Sequence, residues 1–159
     1  MIVVEVNNRQ SRLPIDSARL AEVVRSVLVG EGRAEGQVSL AIVDGPSMHE
    51  LNRRHLAHDY PTDVLSFVLE QTDDLLEGEI IVSADEALLN APRFELAPAA
   101  ELTLYAIHGA LHLCGYDDLD EAAATVMRSR ERHWLAAHGL PTTSREELRR
   151  WPATAEQGP

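Results

Sequence analysis

The 159 residues are enough for one domain with a sizeable core, and an apolar content of 45% excludes a disordered chain. A formal charge of −12 argues against a general binder of polyanions, which would repel phosphate over most of its surface, although it leaves room for a local basic patch. The single cysteine excludes an intramolecular disulfide, and no apolar run approaches a membrane span, so a cytoplasmic protein without a membrane partner is expected.

Residues 2–6 are rich in β-branched side chains and predict a strand. Asp16 or Ser17 can cap a helix in which Leu20, Val23, Val24, Val27 and Leu28 recur at helical spacing up to Gly30. A glycine-rich loop over 30–36 leads to a second strand at 37–43, closed by the turn Asp44-Gly45-Pro46. Ser47 is the expected cap of a short helix with Met48, Leu51 and Leu56 on its apolar side. Two further strands are predicted at 64–69 and 79–82, with the acidic segment 70–77 as their connecting loop. Ser83 can cap a helix to Asn90, and Pro92 and Pro98 punctuate the next loop. A helix over 99–114 and an amphipathic one over 119–138, carrying Val126, Trp134 and Leu135 and ending at Gly139, complete the pattern. A last short helix is expected from Thr142, and a fraying tail from Trp151 to Pro159. No repeat or linker interrupts the chain. The expectation is one α/β (α+β) domain over 1–150, with four strands and five to six helices.

The run His108-Gly-Ala-Leu-His112-Leu-Cys-Gly115-Tyr-Asp-Asp118 has metal-site spacing. Histidines four apart on a helix lie on one face, so both imidazoles can reach one ion. Gly115 can end the helix in a left-handed conformation, and the returning chain can bring Asp118 to the same ion. Three ligands leave a fourth position open for water, as in catalytic zinc sites. The alternative for Asp118 is a cap for the helix that follows, and Asp117 could receive an imidazole N–H or simply be exposed.

Together with His49-Glu-Leu-Asn52, Asp59-Tyr-Pro61-Thr-Asp63-Val-Leu-Ser66-Phe67 and Gly78-Glu-Ile-Ile-Val-Ser83, this run resembles the YbeY family of bacterial endoribonucleases and rRNA maturation factors. The resemblance covers about residues 37–140. It implies a small four-stranded mixed sheet with helices around it, and one zinc held by three side chains, here His108, His112 and Asp118. It also implies single-stranded RNA cleavage in rRNA maturation and ribosome quality control, with ribosomal RNA and ribosomal particles or assembly factors as partners and no DNA. The chain departs from the family pattern where Asp118 replaces the third histidine and where His55-Leu56 replaces Tyr-Arg. The second change motivates an alternative, an assembly factor of the same fold with weakened or lost cleavage. A remoter alternative is an iron oxygenase, since two histidines and a carboxylate can also form a facial triad.

No side chain is assigned a catalytic role beyond the metal-bound water. The place where metalloproteases of the zincin kind carry a general base is here Gly109, which argues against that chemistry. Asp118 adds negative charge beside the ion and should make its water less acidic. Activity is then expected at higher pH than in a three-histidine homologue. With Leu56 in place of arginine, Arg53 is the candidate phosphate contact, against the simpler reading of a solvated surface arginine, and His55 and His58 could add charge below about pH 6.5. Thr62, Asp63 and Ser66 are read as turn and strand-packing residues, and Cys114 as a small buried apolar one.

Overall fold

The computed structural model describes residues 1–56 and 62–142, the side chains of residues 55 and 56 excepted. His58, the segment 59–61, the expected last helix and the tail lie outside the described residues. Strands β1 (Ile2–Asn8), β2 (Gly36–Val43), β3 (Val64–Gln71) and β4 (Leu76–Ser83) form one mixed sheet in the order β1-β2-β4-β3. β1 pairs with β2 and β2 with β4 in parallel, while β3 runs antiparallel to β4. Among the described residues there are five α-helices, α1 (Ser17–Gly30), α2 (Gly45–Leu56), α3 (Ala84–Asn90), α4 (Pro98–Leu113) and α5 (Glu121–Ala137). No helix there is long and apolar enough to cross a membrane.

Alternation along the strands divides the molecule into two unequal cores. Val38, Leu40 and Ile42 of β2, with Ile80 and Val82 of β4, face the main core beneath α1 and α4. Val43, Leu65 and Ile81 point the other way and pack with Met48 of α2. The stripe Leu20, Val23, Val24, Val27, Leu28 is buried as its periodicity requires, and the Asp16 carboxylate caps α1 by accepting from the Arg19 N–H. Helix α4 lies almost against the sheet at Gly109. A Cβ there would come within 2.6 Å of Ile80 Cγ2 and 3.2 Å of Val64 Cγ2, so only glycine permits this approach.

Three local expectations are corrected. Helix α2 starts earlier than Ser47. Asp44 caps it, accepting from the Ser47 N–H at 2.7 Å, with Pro46 in the first turn where its missing N–H costs nothing. Half of the acidic segment is strand. β3 runs to Gln71 and β4 begins at Leu76, because Thr72 closes a short turn with Leu75 and Leu76 is fully buried. In α5 the inward stripe is Ala124, Met127, Glu131, Trp134 and Leu135, whereas Val126 is half exposed. That puts a carboxylate in an apolar stripe, which requires a partner.

Candidate metal centre

The two histidines lie in the last turns of α4. The helix ends in a Schellman motif: the Gly115 N–H donates to His112 O at 3.0 Å, the Tyr116 N–H donates to Leu111 O at 3.1 Å, and Gly115 has φ +101°. Glycine accepts that conformation without strain, and the chain reverses. The reversal brings the Tyr116 carbonyl back over the helix end, where it lies 3.0 Å from His112 Nδ1. A carbonyl can only accept, so His112 carries its proton on Nδ1 and leaves Nε2 as a lone pair.

His108 is fixed in the same sense from another helix. Its Nδ1 is 2.5 Å from Glu131 Oε2 of α5, with both side chains almost wholly buried. The carboxylate accepts the Nδ1 proton, and Nε2 again points outward from the ring as a lone pair. The two Nε2 atoms then face each other at 3.0 Å, with the rings edge to face. Two lone pairs at that distance repel unless a proton or cation lies between them. Nitrogens sharing a tetrahedral zinc at 2.0–2.1 Å would be about 3.3 Å apart.

Asp118 completes the set. Its Oδ2 lies 3.7 Å from His108 Nε2 and its Oδ1 3.9 Å from His112 Nε2. The donor atoms of the three residues all fall within 4.8 Å of one another, so the group could hold a metal ion. Asp118 is not needed as a helix cap, because α5 starts at Glu121 and Asp120 caps it through the Ala123 N–H at 2.7 Å. Asp117 is exposed and accepts from the Leu119 N–H, while the imidazole N–H groups go to Glu131 and the Tyr116 carbonyl. Burial, and next the neighbouring His108, hold the His112 imidazolium pKa down to about 4. The ring is therefore neutral near pH 7, the form that binds a metal. His108 lies at the buried base, while His112 at 27% and Asp118 at 17% side-chain exposure leave one side open.

Several other expected residues sit elsewhere. Gly109 points at the sheet, so a side chain at that position could not face the histidines. Arg53 is on α2, which packs on the opposite sheet face from α4, and its Nη2 lies 2.7 Å from each Glu50 carboxylate oxygen. Thr62 and Asp63 are buried, and the Asp63 carbonyl accepts from the Ser83 N–H, pinning the start of β3 to the end of β4. Cys114 is half-buried, and burial pushes its thiol up to about 11, so it stays protonated. Glu131 was not read from the sequence, although its place in the stripe 124, 127, 131, 134 marks it as a buried carboxylate.

Fold and site together define a small α+β domain with a two-histidine, one-carboxylate group at the end of a buried helix. A family profile described as Endoribonuclease YbeY matches residues 5–139, and the chain belongs to the YbeY family. It is 36% identical over 140 residues to the Endoribonuclease YbeY of Carboxydothermus hydrogenoformans, covering 86% of this chain and 97% of that one. The counterpart from Moorella thermoacetica is 38% identical over 150 residues, with 85% and 96% covered. The one from Rhodopirellula baltica is 40% identical over 121 residues, which are 74% of this chain and 62% of that relative's length. The solution structure of TM1509 from Thermotoga maritima superposes with a TM-score of 0.59 at 27% identity, covering 85% of this chain and 87% of that one.

Proposed function

We propose that this protein is a metal-dependent endoribonuclease that cleaves single-stranded RNA in ribosomal RNA maturation and ribosome quality control, with one zinc per chain held by His108, His112 and Asp118. The supporting observation is the facing pair of Nε2 atoms, each freed by an acceptor on its own Nδ1. Family membership supplies the reaction class, since the curated relatives are named as endoribonucleases. When bound, the ion supplies Lewis acidity to a phosphoryl oxygen and to water. The side chains hold neutral rings, one carboxylate and an open approach from the side of His112 and Asp118. Arg53 takes an RNA phosphate, exchanging Glu50 for it. The domain spans residues 1–150 with a tail beyond, and works in the cytoplasm on ribosomal RNA and ribosomal particles or assembly factors.

Metal content of freshly purified protein, followed by cleavage assays on single-stranded RNA, tests this reading. One zinc per chain, and cleavage abolished by chelator and by His112→Ala, is the expected result. RNA binding without cleavage would favour an assembly factor, for which Leu56 at the family's arginine position speaks. Stoichiometric iron would point to an oxygenase instead.

A further inference from the structure

The two outer contacts of the metal centre come from different segments, the turn after α4 and the middle of α5. Both are tied to one carboxylate, that of Glu31. Its Oε1 accepts from the Tyr116 hydroxyl at 2.8 Å, and the carbonyl of that same Tyr116 holds His112. Its Oε2 accepts from Arg130 Nε at 3.0 Å, Arg130 Nη2 at 2.7 Å and Trp134 Nε1 at 2.8 Å. Arg130 and Trp134 flank Glu131, which holds His108.

Glu31 is itself immobilised. It is the C-cap of α1, and the Gly32 N–H donates to Val29 O at 3.0 Å and the Arg33 N–H to Leu28 O at 2.8 Å, the same Schellman closure that ends α4. The Trp134 ring lies over the preceding Gly30, where a Cβ would come within 2.2 Å of the ring. The Glu31 side chain is 8% exposed. A buried carboxylate with four charge-assisted or aromatic donors is a rigid anchor, and it joins segments 85 and 99–103 residues away in the chain.

We propose that Glu31 is a positioning residue for the metal centre, setting the orientation of both histidine ligands through Tyr116 and through the Arg130–Trp134 turn of α5. This rests on the metal-site reading above. Tyr116 held by its hydroxyl cannot draw its carbonyl away from His112, and α5 held on either side of Glu131 cannot rotate that carboxylate off His108. Loss of Glu31 frees both at once, so the rings lose orientation although neither ligand nor direct partner has changed.

The test titrates metal-stripped full-length protein with Co(II), reading affinity and the visible ligand-field spectrum, beside urea unfolding of the same samples. Parent, Glu31→Gln, Glu31→Ala, Trp134→Phe, His112→Ala and Val27→Ala are compared. Val27 is fully buried one turn earlier in α1; its carbonyl accepts from the Glu31 N–H, a bond that alanine keeps, and its side chain takes no part in the network, so Val27→Ala reports destabilisation alone. The expected result is a loss of about tenfold in Co(II) affinity for both Glu31 variants, with an altered spectrum, and a smaller loss for Trp134→Phe. Val27→Ala should lose stability and keep its affinity. Glu31→Gln and Trp134→Phe decide the matter if Glu31→Ala does not fold. Folded Glu31 variants within twofold of the parent and with its spectrum would overturn the inference, as would an equal affinity loss in Val27→Ala. A parent that binds no Co(II), or His112→Ala binding as well as the parent, would remove the metal reading and this inference with it.

Discussion

Removing Glu131 should weaken metal binding without touching a ligand, and the size of the effect can be worked from its surroundings. The Glu131 side chain is 1% exposed and that of His108 3%, so their contact at 2.5 Å is made away from water. In Glu131→Ala the His108 N–H loses this acceptor where solvent cannot replace it, which costs about 1–3 kcal/mol of stability for the stranded donor. The cavity left in the stripe between Met127 and Trp134 adds a further cost of its own. Metal binding suffers for a separate reason. Without Glu131 the imidazole proton is free to sit on Nε2, where it blocks the ligand atom, and the ring is free to turn. Outer partners of this kind are typically worth about 10–100-fold in metal affinity, or roughly 1.4–2.7 kcal/mol. Glu131→Gln keeps a carbonyl acceptor of similar reach and should fall near the lower figure, Glu131→Ala near the upper. Isothermal titration of the metal-stripped variants with zinc, beside urea unfolding, separates the two costs. A folded Glu131→Ala protein with parental zinc affinity would refute the role assigned to this carboxylate.

Other consequences are checked by simpler means. His112→Ala and Asp118→Ala should each strip the zinc measured in purified protein, and parental content in either would remove that residue from the ligand set. Zinc at a hundred times its dissociation constant should stabilise the parent by about 2.7 kcal/mol, raising the melting temperature by roughly 5–11 °C; a melting temperature indifferent to zinc and to chelator would argue against a bound ion. Gly109→Ala forces α4 off Ile80 and should cost about 1–3 kcal/mol in urea unfolding, whereas an unchanged midpoint would mean the helix does not approach the sheet as described. Burial raises the Glu31 carboxyl pKa, but hydrogen bonds from Trp134, Arg130 and Tyr116 outweigh it and leave the pKa below its ordinary 4.5. A folded-state pKa below the unfolded one means stability present above about pH 4.5 and lost as the pH falls through the lower value. The stability gap between parent and Glu31→Gln should therefore be widest near neutrality and close on acidification, and a gap independent of pH would contradict this. Arg53→Ala should weaken RNA binding and reduce its salt dependence by about one unit of slope; unchanged affinity and slope would remove Arg53 from the RNA path.

The sequence by itself settled what lies within a few residues of itself. The α1 stripe is legible because side chains at helical spacing share a face whatever the helix packs against. Placement of His108 and His112 on one face, and the reversal at Gly115, follow from backbone geometry alone. Capping and hairpin details were missed by a few residues, because Asp44 and Ser47 are both good caps and Thr72 gave no signal of closing a turn inside an acidic run. Only the tertiary structure decided what surrounds the histidines. Glu131 meets His108 across 23 residues, and Glu31 meets Tyr116 across 85, contacts that depend on how α1, α4 and α5 pack rather than on any local period. It decided also that Gly109 faces the sheet and that Asp120, not Asp118, caps α5, leaving Asp118 free to turn towards the two rings. Local patterning fixes which side chains share an element's face, and packing fixes which faces meet. The candidate metal-site motif belongs to the first, and the network around it to the second.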